Sequence, residues 1–155
     1  MGVEIERKFL VKKELWQALE KPAGIHYRQG YLLNAPDRVV RVRIAGEKGF
    51  ITIKGAAEGI TRAEYEYEIP KGDAEEMLDL FQPEGTEKIR YRIPEDSGAV
   101  WEVDEFLGAN KGLIVAEIEL ATEDQHFVPP EWLDMEVTSD ERYANSNLAL
   151  RPIQY

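Results

Sequence analysis

An antiparallel-rich α+β or barrel fold is the class this sequence predicts, and three observations carry the prediction. Eight stretches alternate apolar and polar residues with a period of two, the signature of strands with unlike faces. Glycine-bearing turn segments join several of them, as in hairpins. Helical periodicity is confined to a few short segments, too few for the alternating strand–helix order of a parallel sheet.

The strand-like stretches are 3–11, 27–33, 39–45, 50–54, 62–69, 87–93, 99–106 and 114–121. "AGEKGF" and "PEDSGA" read as tight hairpin turns, and "KGAAEGIT" as a looser connection. "KKELWQALE" places Leu15, Trp16 and Leu19 at helical spacing and ends at Pro22. "GDAEEMLDLF" reads as a second helix with Asp73 as N-cap, an apolar face of Met77, Leu78 and Phe81, and a stop at Pro83. "PPEWL" is expected to form one short turn, and "SDERYANSNLAL" a helix capped by Ser139.

Composition narrows the function. The 155 residues suit a single domain, 1–155, and at 43% hydrophobic and 32% charged the chain is globular rather than disordered. A net charge of −11 argues against binding nucleic-acid backbone, although a basic pocket inside remains compatible with it. The absence of cysteine excludes disulfides and thiolate metal sites, and two histidines leave little for an imidazole zinc site. No stretch reaches the length of a membrane span, and the charged N-terminus lacks an apolar leader core. These features predict a cytoplasmic protein with no membrane partner.

The polar faces of the strands are unusual in being almost wholly charged. Glu4, Glu6 and Lys8 form one row; Arg41 and Arg43, Lys54, and Lys88, Arg90 and Arg92 form basic rows. Glu64, Glu66 and Glu68, then Glu102 and Asp104, then Glu117 and Glu119 form acidic ones. For any one strand a solvated outer face accounts for the pattern. The depth of charge, its segregation by strand and its arginine content suit a closed sheet with the charged face inward, because the planar guanidinium fork matches phosphate. Periodicity leaves open which face is inside.

"EIERKFLV", with its E-x-E-x-K pattern, resembles the opening signature of the CYTH superfamily, the triphosphate tunnel metalloenzymes. "YRQGYL", "RVRI", "TIKG", "EYEYEI", "EKIRYRI", "WEVDEF", "AEIEL" and "VTSDERYANSNLA" follow in the order of its short bacterial members, the inorganic tripolyphosphatases. The resemblance spans about residues 3 to 150. It implies a closed eight-stranded antiparallel barrel that binds a small-molecule triphosphate with basic residues and Mg²⁺ or Mn²⁺ with acids. On that resemblance Glu4 and Glu6, with Glu117 or Glu119, are metal ligands. Lys8, Arg41, Arg43, Lys54 and Arg90 bind phosphate, and Lys88 and Tyr31 form a catalytic pair.

Those roles suit the chemistry. Arginine and lysine give charge-assisted donors to phosphate oxygens, Mg²⁺ prefers carboxylates, and phosphoryl transfer is chiefly positioning and charge stabilisation. Read without the resemblance, Tyr31 is a packed strand aromatic. Glu64 reads as structural balance, with Glu66 and Glu68 undecided; Glu102 and Asp104 are either partners of the bases or a second metal site. His26 and His126 read as surface residues, and Trp16, Trp101 and Trp132 as apolar packing. Arg142 and "DERYANSN" either close one mouth of the tunnel or form a plain helix. Hydrolysis of inorganic tripolyphosphate is the expected activity. Alternatives are an adenylate cyclase of class IV type, a thiamine or nucleoside triphosphatase, or a non-catalytic polyphosphate binder. Whether the chain forms a homodimer is left open.

Overall fold

The structure, a computed structural model, describes residues 2–153. Nine strands follow in antiparallel order: β1 Val3–Val11, β2 Ile25–Ala35, β3 Arg38–Ala45, β4 Lys48–Glu58, β5 Thr61–Ile69, β6 Gly85–Pro94, β7 Val100–Phe106, β8 Ile114–Glu119 and β9 Leu133–Glu136. The sheet runs β5-β4-β3-β2-β6-β7-β8-β1-β9, and a further pairing of β1 with β5 closes the first eight into a barrel. Closure is local. Val3 to Ile5 pair with β5, whereas Phe9 and Val11 pair with β9, so β1 exchanges one neighbour for another along its length.

The register decides which face is inside. Along β3, Val42 and Ile44 pack outward against Ala74 and Leu78 of α2 (Lys71–Phe81), while Arg41 and Arg43 are buried on the opposite face. Along β7, Trp101 and Val103 join the outer core with Phe9, Ala116 and Ile118, beneath Trp16 and Trp132. Five edge-to-face ring pairs link Phe9, Trp16, Trp101, Trp132 and Phe127. The charged face is therefore the lumen, and the apolar face is covered by helices and loops. Arg7, which interrupts the apolar row of β1, lies outside and pairs with Glu136 of β9 at 2.6 Å.

At one end the lumen turns apolar. Leu10, Phe106 and Val115 pack with Leu148 of α3 (Asn145–Leu150), and Ala149 covers Tyr31 and Val39. The C-terminal segment thus plugs that end. At the other end Arg92, Ala99, Glu119 and Leu120 line an opening.

Several local expectations are corrected. The short turn at "PPEWL" forms, with Leu133 donating to the Pro130 carbonyl at 3.0 Å, but it leads into an unexpected strand, β9, because the edge of β1 left free by β5 takes it: Lys12 donates to the Trp132 carbonyl at 2.7 Å and Val137 to that of Lys8 at 2.8 Å. The C-terminal helix is broken into a 3-10 turn, Glu141–Tyr143, and α3, and Asp140 rather than Ser139 caps the turn. The break lies where Lys8 Nζ takes the Tyr143 carbonyl at 3.1 Å. Helix α1 spans only Lys13–Ala18 and buries Trp16, with Leu15 and Leu19 exposed. The cap of helix α2 lies three residues before the expected one: Pro70 holds the N-cap position and Asp73 lies in the first turn. Pro70 suits that position because its missing N–H is not needed there. Phe81 is exposed, leaving Ala74 and Leu78 as the buried face.

Both tight hairpins form as expected, with Gly46 at φ +59° and Gly98 at φ +93°, a backbone conformation that glycine adopts without a Cβ clash.

Candidate active site

The lumen encloses a chamber of about 650 Å³. Eight of the eleven residues given a site role from sequence line it: Glu4 and Glu6 from β1, Arg41 and Arg43 from β3, Lys54 from β4, Arg90 from β6, and Glu117 and Glu119 from β8. Lys8 and Tyr31 line a small adjoining recess of about 70 Å³, together with Glu4, Glu6 and Arg41, towards the plugged end. Lys88 lines neither. It is wholly buried, one layer behind the chamber surface.

Strand pairing explains the assembly. Alternate residues of a strand share a face, and antiparallel neighbours place their lumen residues side by side. Lys8 stands opposite Glu117, Glu6 opposite Glu119, Glu102 opposite Glu117 and Arg90 opposite Asp104.

The basic groups are held by a connected set of partners. Asp104, fully buried, accepts from Lys88 Nζ at 2.7 Å and from Arg90 Nε and Nη2 at 2.7 and 2.9 Å. Arg43 Nε donates to Gln29 at 2.9 Å, and Gln29 donates to Thr86 at 3.2 Å. Arg41 Nη2 donates to Thr52 at 3.2 Å and lies 3.6 Å from Glu66, but its Nε is buried with no partner. A buried unpaired donor on a guanidinium is costly and is satisfied when an acceptor arrives. Lys54 bridges Glu4 at 3.1 Å and Glu64 at 3.3 Å.

Burial and crowding shift these groups. Burial, then Asp104 against it and Arg90 and Arg43 with it, leaves the Lys88 ammonium pushed down to about 7. Burial and the neighbouring Arg41 and Arg90 bring the Arg43 guanidinium down to about 10. Burial also works against Asp104 and Glu117, but Arg90 and Lys88 hold Asp104 low, and Lys8, Arg90 and Lys88 hold Glu117 well below the usual carboxylate range.

The acids opposite are not balanced in this way. Burial, Glu117 and Glu4 push Glu6 well above the ordinary value. Burial and a hydrogen bond with Glu4 raise Glu64 to about 7. Burial, then Glu4 and Glu102, raises Glu119. Carboxyls that retain protons because negative charge is in excess fit a hard divalent cation in donor type and in charge. Among the described residues, no three carboxylates or imidazoles are already gathered to coordination distance. Glu4, Glu6, Glu117 and Glu119 are the candidate ligands on the chamber, and their side chains would draw in around an ion.

The pairing of Lys88 with Tyr31 meets a different geometry, while the reading of Glu64, Glu102 and Asp104 as partners of bases is met. Lys88 lies opposite Tyr27, not Tyr31, across the β2–β6 ladder. Tyr31 is four residues further along β2, about 13 Å by strand rise. The acids of β5 and β7 pair with bases: Glu64 with Lys54, Glu66 with Arg41, Glu68 with Lys48, Glu102 with Arg90 and Arg92. Arg142 is exposed and pairs with Asp140; the C-terminal residue that reaches the chamber is Asn145, whose Nδ2 lies 3.4 Å from Glu117. Tyr27, Gln29, Thr52 and Asn145 were not singled out from sequence. The alternation of "YRQGY" could have found the first two, since Tyr27, Gln29 and Tyr31 share a face.

A closed antiparallel barrel with a charged interior, plugged at one end, defines the class of protein. The chain belongs to the CYTH family, whose CYTH domain model matches residues 2–150. It is 50% identical over 153 residues to an inorganic triphosphatase of Acetivibrio thermocellus, covering 98% of this chain and 96% of that protein. It is 38% identical over 150 residues to an inorganic triphosphatase of Nitrosomonas europaea, covering 95% and 97%. A crystal structure of an inorganic triphosphatase superposes with a TM-score of 0.66 at 36% identity, covering 97% of this chain and 96% of that one. A structure described as a putative adenylate cyclase from Bacillus halodurans shares the fold, with a TM-score of 0.63 at 18% identity.

Proposed function

We propose that this protein hydrolyses inorganic tripolyphosphate to pyrophosphate and phosphate inside the barrel, with Mg²⁺ or Mn²⁺ as cofactor. The observation that carries the reading is the convergence of Arg41, Arg43, Lys54 and Arg90 on one chamber, with Arg41 Nε buried and unpaired. A chain of phosphates is a solute with enough acceptors for those donors. The names of the relatives at 50% and 38% identity support the same substrate.

In this reading the four basic residues, with Lys8 in the recess, grip the non-bridging oxygens. Glu4, Glu6 and Glu117, with Glu119 towards the opening, would hold the cation, which when bound neutralises phosphate charge and polarises the phosphoryl group. Lys88, whose ammonium is pushed down to about 7, exchanges a proton readily near neutrality. Once its bridge to Asp104 is exchanged for water, its Nζ orients or deprotonates the attacking water. Tyr31, beside Lys8, closes the recess at the plugged end. Helix α3 fills the plugged end, and the opening at Arg92 is a route by which substrate enters.

A panel of tripolyphosphate, ATP and thiamine triphosphate, each with Mg²⁺ and with Mn²⁺, tests this when both phosphate and cyclic AMP are measured. Phosphate release is expected to be fastest from tripolyphosphate and to stop in EDTA. Cyclic AMP as the main product from ATP, or full activity in EDTA, overturns the reading.

A further inference from the structure

Five basic side chains line the chamber: Arg41, Arg43, Lys54, Arg90 and Arg92. Four of them have a carboxylate within 4.0 Å: Glu66 for Arg41, Glu4 and Glu64 for Lys54, Asp104 and Glu102 for Arg90, and Glu102 for Arg92. Lys8 and Lys88 are paired too, with Glu117 and Asp104. Arg43 alone has no such partner among the described residues. Its counterpart is an amide: Gln29 Oε1 accepts from Arg43 Nε at 2.9 Å. Among the described residues its two Nη nitrogens make no hydrogen bond to protein.

The amide is built in. Gln29 is 2% exposed and stands directly opposite Arg43 on β3 and Thr86 on β6, so the three form one cross-strand row. Gln29 Nε2 donates to the buried Thr86 hydroxyl at 3.2 Å. A flipped amide would set donor against donor at Arg43, so the orientation is fixed. Glutamate has nearly the same shape and would tie an arginine more strongly. Holding Arg43 in place therefore does not account for an amide at this position; leaving its charge unmatched does. Two guanidiniums in the chamber show the difference. Burial opposes both, but Asp104 holds Arg90 well above the ordinary value, whereas Arg43, with Arg41 and Arg90 beside it, is brought down to about 10.

We infer that Gln29 is a positioning residue that aims Arg43 while leaving its charge uncompensated, so that the phosphate chain becomes its negative partner. The amide takes Nε and leaves both Nη nitrogens for phosphate oxygens. The inference rests on the reading of Arg43 as a phosphate-binding residue.

Gln29→Glu adds a charge with little change of shape, and Gln29→Leu removes the tie without adding charge. Each is compared with the unmodified protein in three measurements: tripolyphosphate binding by calorimetry in EDTA, kcat and KM with Mg²⁺ present, and thermal melting without metal. Gln29→Glu is expected to weaken binding and raise KM by about ten- to a hundredfold, the range for losing a hydrogen bond to a charged group. Its melting temperature should stay the same or rise, because Arg43 gains an ion pair. Binding and stability thus move in opposite directions, which a merely structural glutamine would not give. Gln29→Leu keeps the charge and loses the aim, so it should melt lower and lose less than about tenfold in binding.

Unchanged binding and KM in folded Gln29→Glu overturn the inference. So does an equal loss of binding in both variants, which would make the tie matter and not the charge. Weaker binding with a lower melting temperature in Gln29→Glu marks the glutamine as structural and overturns it as well. If Gln29→Glu does not fold, Gln29→Asp is judged in the same way against its neutral match, Gln29→Asn. Failure of both acidic variants to fold also overturns it, because a carboxylate opposite Arg43 is expected to pair with it. Failure of the unmodified protein to bind or cleave tripolyphosphate would instead remove the functional reading, so the two failures are distinct.

Discussion

On the wall built by β2, β3, β6 and β7, most charges have a fixed counterpart. Asp104 holds Lys88 and Arg90, Gln29 holds Arg43, and Thr52 and Glu66 hold Arg41. On the wall built by β1, β5 and β8, Glu4, Glu6, Glu64, Glu117 and Glu119 share Lys54 and Lys8 between them. The first wall is preorganised: Arg41, Arg43 and Arg90 already face the chamber, and little must move to receive an anion. The second is frustrated, with Glu6, Glu64 and Glu119 driven to hold protons by burial and by one another. Excess negative charge on one side is the state expected of acids whose counter-charge is a bound cation rather than a side chain.

Breaking the preorganised wall should have the largest effect. Asp104→Ala strands Lys88 and Arg90 in a buried site, and loss of one partner of such a network costs about 3–5 kcal/mol. Urea unfolding should show that loss, and an unchanged midpoint would mean that water reaches both cations. Lys88→Ala should lower kcat for tripolyphosphate by about two to four orders of magnitude with a smaller change in KM. A change confined to KM would show that Lys88 only supports binding.

Relaxing the frustrated wall should do the reverse. Glu6→Gln removes a charge that Glu117 and Glu4 oppose. The metal-free protein should gain on the order of 1 kcal/mol, the size of a one-unit pKa difference, while activity is lost. A less stable folded variant would mean that Glu6 is needed by Lys8 more than it is opposed by the acids.

The same wall sets a pH dependence. Glu64, raised from the ordinary carboxylate value to about 7, favours the folded state fully at low pH, and that contribution fades as pH rises through about 7. Asp104 and Glu117 are shifted downward, so their contributions are intact across this window and fade only in stronger acid. Lys88, lowered to about 7, acts mainly above that pH, where it makes stability rise instead. The metal-free protein should therefore lose stability between pH 5 and 7. Glu64→Gln should flatten part of the slope, and added Mn²⁺ should stabilise more at pH 7 than at pH 5, because protons compete with the cation for carboxylates. Equal stabilisation at both values would place the ion elsewhere.

Much of this contrast is legible in the sequence. A period of two divides each strand into an apolar and a charged row, and residues such as Arg41 and Arg43 fall on one face whatever the tertiary structure. The E-x-E-x-K resemblance then supplied what periodicity left open, which row is enclosed. β9 was not legible, because "LDME" alternates over only four residues and forms a strand only where β5 has left the edge of β1. The break before α3 depends on Lys8 reaching a carbonyl 135 residues away, which no local signal records. Tyr27 was passed over because the three cations around its ring lie on neighbouring strands, and register between strands is not written in any one of them.

The smallest expected effect concerns Tyr31, and it tests whether the plugged recess and the Lys88 site act as one unit. The resemblance pairs Tyr31 with Lys88, and a pair that works together gives a double mutant less than additive. The structure separates them. Lys88 is enclosed by Asp104, Tyr27 and Phe106, while Tyr31 packs with Val39 and Ala149 in the recess that also holds Lys8. Tyr31→Phe removes a hydroxyl with no protein partner among the described residues, so it should cost less than about tenfold in kcat. Added to Lys88→Ala, it should lower activity by the product of the two single effects, within about 0.5 kcal/mol of additivity in barrier height. Strong sub-additivity would show that substrate draws the two residues together, and that the unliganded chamber closes around the phosphate chain before the water attacks.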